Sequence, residues 1–271
     1  MSLGARAVEE RSGELITHLL PPDEPEDFLL RVRARLQEDS GIEDLELKWS
    51  WQAHEDWAST WKQGLGPRKL TDRLVVSPSW CGGEADEIAG EHAVVVIIDP
   101  GMAFGTAEHG TTRGALRLLD RALSSGEVLL DAGCGSAILA IAAARLGAAR
   151  VLAVDLDPCA TEAARGNVAG NAVTARVTVE TAAVSPDWIV EQGSFDGILA
   201  NIQTGVLVPL LTDFEKALER DGWMILSGIL AEEWSLLADA AAAAGCSLQE
   251  IDSDGEWRTG WFTLTEDPRE S

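Results

Sequence analysis

The 271-residue chain has no apolar run long enough to span a bilayer, so no membrane-crossing helix is expected. Its first residues carry neither a charged n-region nor an apolar h-region, and a cytoplasmic location is the expectation. Cysteine is sparse: Cys81, Cys134, Cys159 and Cys246 are scattered and never adopt a C-x-x-C spacing. Buried free thiols in a reducing compartment explain them better than disulfides or a zinc site. His18, His54, His92 and His109 are equally dispersed, with no pair at ligand spacing on a helix, so no metal is expected. Lysine is rare as well, at four residues against 17 arginines. With a net charge of −24, no overall basic field for DNA or RNA exists, which counts against a nucleic-acid substrate. Self-repulsion of this size becomes tolerable where salt screens it, so adaptation to a salty cytoplasm is expected.

What is present centres on Glu127 to Gly147. Val128, Leu129 and Leu130 form a short apolar run suited to a strand buried on both faces. It ends in Asp131-Ala132-Gly133-Cys134-Gly135-Ser136, a turn small enough for backbone to approach a ligand closely. A helix follows from about Ala137 and stops near Gly147. Arg150 to Asp155 reads as a second buried strand ending in an acid, about 20 residues beyond Gly133. A carboxylate there can accept both hydroxyls of a ribose. The turn lacks the third glycine that seats a pyrophosphate, and Asp131 stands just before it. The pattern D-x-G-x-G with a ribose acid downstream resembles the S-adenosylmethionine pocket of class I methyltransferases.

Along the chain, residues 1–51 read as a small first domain. Two strands turned at Ser12-Gly13 precede a helix carrying Phe28, Leu29, Val32 and Leu36, and Leu45 to Trp51 alternates as a last strand. This is a ferredoxin-like α+β unit without its first strand and helix. Residues 52–90 are a connector rich in Trp, Gly and Pro, whose tryptophans are expected to pack a helix and a turn. Residues 91–271 alternate strands and helices as one doubly wound, Rossmann-like sheet closed by an antiparallel hairpin. Phe195 to Ile202 is its fourth strand and delivers Asn201 to the carboxyl edge beside the glycine turn.

Ahead of that sheet lies a glycine-bearing loop, Asp99-Pro100-Gly101-Met102-Ala103-Phe104-Gly105-Thr106-Ala107-Glu108-His109-Gly110-Thr111-Thr112, placed as a lid would be. This loop resembles that of the PrmA family, as do Gly133-Cys134-Gly135-Ser136, Val154-Asp155-x-Asp157-Pro158, Ala200-Asn201-Ile202 and Leu226-Ser227-Gly228-Ile229-Leu230. Those enzymes methylate protein eleven of the large ribosomal subunit. The resemblance implies an S-adenosylmethionine site at Thr112, Gly133, Asp155 and Asn201, and an N-terminal ferredoxin-like domain presenting a protein substrate. Asp131 and Gly135 in the turn, and Phe104 and Gly105 in the loop, complete the cofactor-binding candidates. Ala137, where the family commonly has glycine, implies minor crowding.

Methyl transfer from a sulfonium needs a neutral nucleophile with a free lone pair. An asparagine carbonyl can accept an N–H bond from an amine and aim that lone pair, which makes Asn201 the catalytic candidate. Glu108 and His109 are open between accepting a proton, attracting a cationic substrate and merely facing solvent. A lysine side chain or N-terminal amine of a ribosomal protein is the expected acceptor. Two alternatives stand beside it: methylation of a small molecule, nucleobase or different protein, and non-catalytic cofactor binding. The nucleobase version normally wants Asn-Pro-Pro-aromatic, and Asn201-Ile202-Gln203-Thr204 lacks the aromatic.

Overall fold

The computed structural model describes residues 8–11, 14–17, 25–42, 45, 47–48, 66–99, 105 and 107–265. They fall into two compact units, Met1–Lys62 and Gln63–Ser271. In the first unit, β1 (Val8–Arg11) and β2 (Glu14–Thr17) pair antiparallel, with Arg11 opposite Glu14 across the turn. Helix α1 (Pro25–Ser40) opens on proline, whose missing N–H costs nothing at a helix start. It closes at Gly41, which takes φ 69° and donates its N–H to Gln37 O at 2.9 Å. Most of the strand expected at Leu45–Trp51 lies outside the described residues, as do Trp57 and Trp61.

The second unit opens with a three-stranded sheet of β3 (Arg68–Lys69), β4 (Leu74–Ser77) and β5 (Val94–Ile97). Strands β4 and β5 run parallel, joined through α2 (Gly82–Ala89). Residues 66–90, read from sequence as connector, are therefore structured and share the core of this unit. Leu74, Val76, Val96 and Ile98 are buried in the same apolar cluster as Leu116, Leu119 and Ile141. The buried Asn171 completes the edge of β5: its Oδ1 accepts from Ile97 N–H at 2.8 Å and its Nδ2 donates to Ile97 O at 2.7 Å.

The principal sheet holds β6 (Val128–Ala132), β7 (Arg150–Asp155), β8 (Val177–Thr181), β9 (Phe195–Asn201), β10 (Leu218–Leu230), β11 (Cys246–Asp254) and β12 (Trp257–Leu264). Its order is β8-β7-β6-β9-β10-β12-β11. The first five strands are parallel, and β12 pairs antiparallel with both β10 and β11. The period of two is visible within β6. Leu129 joins one cluster with α3 (Gly110–Ala122), α4 (Ile138–Leu146) and α5 (Pro158–Gly170). Leu130 joins the other with α6 (Pro186–Gln192), α7 (Thr204–Ala217) and α8 (Trp234–Ala243). Both leucines are fully buried, as expected of strands covered on two faces. From β6 the chain winds outward through β7 to β8, then returns to the other side of β6 for β9 and β10, and ligands bind at such a switch point. Among the described residues no helix is long and apolar enough to cross a membrane.

Helix α3 is fastened to β11 by a ladder of three arginines against three acids. Arg113 forks onto Asp254, Arg117 onto Asp252 with 2.7 and 2.5 Å contacts, and Arg121 reaches Glu250. One helical step of four residues, about 6 Å, matches a strand step of two, about 6.7 Å. Gly114 allows the approach, since a Cβ there would stand 2.5 Å from Thr259 Oγ1. The three arginines and three acids of the ladder cancel, so the net −24 is left on the remaining residues. Thermal stability should therefore rise markedly between about 0.1 M and 1 M potassium chloride, as the Debye length shrinks from about 10 to about 3 Å. A melting temperature flat across that range would remove the salt-adaptation reading.

Candidate functional site

The carboxyl ends of β6, β7, β8 and β9 open onto a cleft of about 380 Å³, within the range of small-molecule sites. Its walls include Gly105, Asp131, Gly133, Gly135, Asp155 and Asn201, six of the residues the sequence nominated. Phe104, a further candidate, lies outside the described residues. Thr112 does not line the cleft: it is fully buried in the first turn of α3 and reaches the site through Asn201. Sequence reading missed Leu156 and Ala182, Ala183 and Val184, which form an apolar wall just past the ends of β7 and β8. Their only signal was position, immediately after two strands that end in the same layer.

The turn after β6 doubles back through left-handed backbone, with Gly133 at φ 72° and Gly135 at φ 52°. Both Gly133 and Cys134 N–H groups bond Val154 O, at 2.8 and 2.9 Å, which ties the turn to β7. A Cβ on Gly133 would lie 2.4 Å from Ile202 Cγ2, so any side chain here would collide with Ile202. The backbone at Ala137 is left-handed, with φ 63° and ψ 23°, so the departure from glycine costs backbone conformation, about 1–2 kcal/mol. Burial pushes the Cys134 thiol pKa up, with Asp131 and Asp155 adding to the shift, so this cysteine stays protonated.

Asp155 is held from behind. Gly135 N–H donates to its Oδ2 at 2.9 Å and Asp157 N–H to its Oδ1 at 3.0 Å. Each carboxylate oxygen keeps a second lone pair for a ligand. Asp131 is fully buried, accepts from Ala140 N–H at 3.0 Å through Oδ2, and has no partner for Oδ1. Desolvation raises its pKa to about 7 against the opposing Ala140 bond, with a further push from Asp155. Asn201, at the end of β9, donates from Nδ2 to Thr112 Oγ1 at 3.3 Å. Its Oδ1 is buried, unpartnered and in the wall of the cleft. Behind it Gly228, at φ 86°, allows β10 to pass against Ile202, where a Cβ would meet Ile202 O at 2.6 Å.

The loop residues resolve two open questions. Glu108 is committed to Arg68, with contacts of 2.9 and 3.1 Å, rather than aimed into the cleft. His109 bonds Thr111 Oγ1 through Nδ1 at 2.7 Å and tilts against Trp257, with ring centroids 4.9 Å apart. Gly105 carries the loop to the cleft, its carbonyl accepting from Ser136 Oγ at 2.5 Å. No group of three metal-ligating side chains gathers among the described residues.

The chain matches the family described as ribosomal protein L11 methyltransferase (PrmA) over residues 10–263. It is 37% identical to the ribosomal protein L11 methyltransferase of Streptococcus pneumoniae (strain Hungary19A-6), covering 87% of this chain and 73% of that one. It is likewise 37% identical to the protein of the same name from Clostridium perfringens (strain ATCC 13124), over 87% and 74% of the two chains. Among solved structures, the ribosomal protein L11 methylase of Lactobacillus delbrueckii subsp. bulgaricus superposes with a TM-score of 0.66 at 29% identity. That alignment covers 74% of this chain and all of the other.

Proposed function

This chain belongs to the ribosomal protein L11 methyltransferase (PrmA) family, and from that premise we propose that the cleft beside β6 and β9 performs the family's methyl transfer. The protein is an S-adenosylmethionine-dependent protein methyltransferase. The observation that carries the residue assignment is the unpartnered amide oxygen of Asn201 in the cleft wall. A buried acceptor left without a partner costs about 1–3 kcal/mol, which a ligand N–H can recover. The rest of the cleft fits the same cofactor: an acid with free lone pairs at Asp155, an apolar wall beside it, and a turn with glycine at 133 and 135.

When bound, adenosylmethionine supplies a methyl group activated by a sulfonium. Asp155 would bind the ribose hydroxyls, and glycine at 133 and 135 would allow close approach. The apolar wall of Leu156, Ala182, Ala183 and Val184 would suit the adenine. Asp131 would contribute to holding the cofactor's amino-acid portion, with Gly105 on the loop side. Asn201 Oδ1 accepts an N–H bond from the incoming amine and aims its lone pair. Exclusion of water from the cleft favours the neutral amine over the ammonium. No strong base is required, because positioning supplies much of the acceleration.

The substrate is a ribosomal protein, with a lysine side chain or N-terminal amine as acceptor, in the cytoplasm. Residues 1–51 take part in recognising it. Incubating the chain with labelled adenosylmethionine and ribosomal protein L11 tests this directly, with intact mass reporting the methyls added. Deleting residues 1–51 should leave adenosylmethionine affinity within about threefold. Methylation of the ribosomal protein should fall at least tenfold, about 1.4 kcal/mol of transition-state stabilisation. Equal turnover by both forms would move recognition away from this segment.

A further inference from the structure

Arg113 follows Thr112 in α3 and does not line the cleft. Its Nε and Nη2 donate to Asp254 Oδ2 and Oδ1 at 2.8 and 2.7 Å, a bidentate fork to the end of β11. Its Nη1 donates to two loop carbonyls, Ala107 O at 3.3 Å and Glu108 O at 2.5 Å. A guanidinium has donors only, so these carbonyls are held by Arg113 and by no reversal of the bond. Asp254 is fixed in turn by Arg117 Nη2 at 3.1 Å. The side chains of Arg113 and Asp254 are 19% and 25% exposed, so water screens the fork only partly.

The same loop meets the cleft two residues before Ala107. Gly105 lines the wall and is bonded through its carbonyl to Ser136 Oγ in the glycine turn. The loop is therefore bonded to the glycine turn at Gly105 and, through Arg113, to the hairpin at Ala107 and Glu108. The Arg68–Glu108 pair adds less, because its partners are 43% and 41% exposed and such pairs contribute about 0–1 kcal/mol.

We infer that Arg113 is a positioning residue: by holding the carbonyls of Ala107 and Glu108 against the C-terminal hairpin, it sets the cleft wall at Gly105 and thereby adenosylmethionine affinity. The inference rests on the adenosylmethionine reading of the cleft. Two variants test it. Arg113→Met removes every bond, whereas Arg113→Lys keeps the charge beside Asp254 but cannot form the fork and reach both carbonyls. The first readout is cleavage of the Glu108–His109 bond by a glutamate-specific protease, taken relative to cleavage after the exposed Glu219. The second is the calorimetric Kd for adenosylmethionine.

Both variants should raise relative cleavage at Glu108 at least tenfold and Kd at least fivefold. Global destabilisation would raise both cleavage sites together and leave the ratio unchanged. If Arg113→Met does not fold, Arg113→Lys carries the test, because it retains the ion pair. A folded variant with an unchanged cleavage ratio, or with faster cleavage and an unchanged Kd, would overturn the inference. Wild-type protein that binds no adenosylmethionine would sink the cofactor reading instead, and the cleavage ratio alone would then decide whether Arg113 holds the loop.

Discussion

Replacing Asp155 with alanine should weaken adenosylmethionine binding by about 1.5–3 kcal/mol, roughly 10- to 150-fold, the range for hydrogen bonds to a charged group. The carboxylate is preset by the backbone N–H groups of Gly135 and Asp157, so no ordering cost accompanies its use. Its removal acts twice, because Gly135 N–H also loses the acceptor that shapes the turn. Asp155→Asn separates the two effects. An asparagine oxygen can still receive Gly135 N–H, while the bond from Asp157 N–H and the charge that favours two ribose hydroxyls are lost, so its affinity should fall between wild type and alanine. Calorimetry on the three proteins decides the matter. Unchanged affinity in Asp155→Ala would remove this residue from the ribose site, whereas equal losses in both variants would point to charge alone.

Asp155 was legible because it ends an apolar run at a fixed distance from a glycine turn, and both features are local. The same holds for Asn201 at the end of β9 and for the helix that follows Gly135. The small sheet was not legible. Its strands β3 and β4 are two and four residues long, set among Gly, Pro and Trp, so periodicity had too few positions to register. Helix α7 begins at Thr204 and holds Pro209 inside it, although a proline ordinarily marks a helix start. The arginine ladder was out of reach for another reason. Arg113, Arg117 and Arg121 recur at helical spacing, but their partners lie more than 120 residues away on β11. Nothing local distinguishes such a row from a solvated face. Thr112 illustrates the limit of motif transfer, which nominates a position without saying whether its side chain meets the ligand or its neighbour.

Substituting Asp131 with asparagine should stabilise the protein at pH 8 and leave stability at pH 4 nearly unchanged. Burial moves this carboxyl from an ordinary range to about 7, opposed by the Ala140 N–H and reinforced by Asp155. In the unfolded chain it ionises near 3.9. Between those values the folded state binds more protons than the unfolded state, so stability falls as pH rises through the window. A separation of about three pH units corresponds to roughly 4 kcal/mol as an upper bound, fully expressed above about pH 7. Asparagine keeps an acceptor for Ala140 N–H and never ionises. Its NH2 replaces the unpartnered O–H of the protonated acid, so the two forms nearly match at pH 4, where the wild-type carboxyl is neutral when folded and only about half ionised when unfolded. The expected gain at pH 8 is about 2–4 kcal/mol, or roughly 5–15 °C in Tm for a unit of this size. Melting both proteins at pH 4 and pH 8 in about 1 M potassium chloride screens the general charge repulsion and isolates this site. Parallel pH dependences for the two proteins would show that Asp131 titrates alike folded and unfolded. A buried acid retained in a cleft wall at such a cost is a candidate for ligand binding, and stabilising such a site commonly reduces function. The asparagine variant should therefore be harder to melt at pH 8 yet bind adenosylmethionine more weakly, since the carboxylate's charge is what a cationic ligand would meet there.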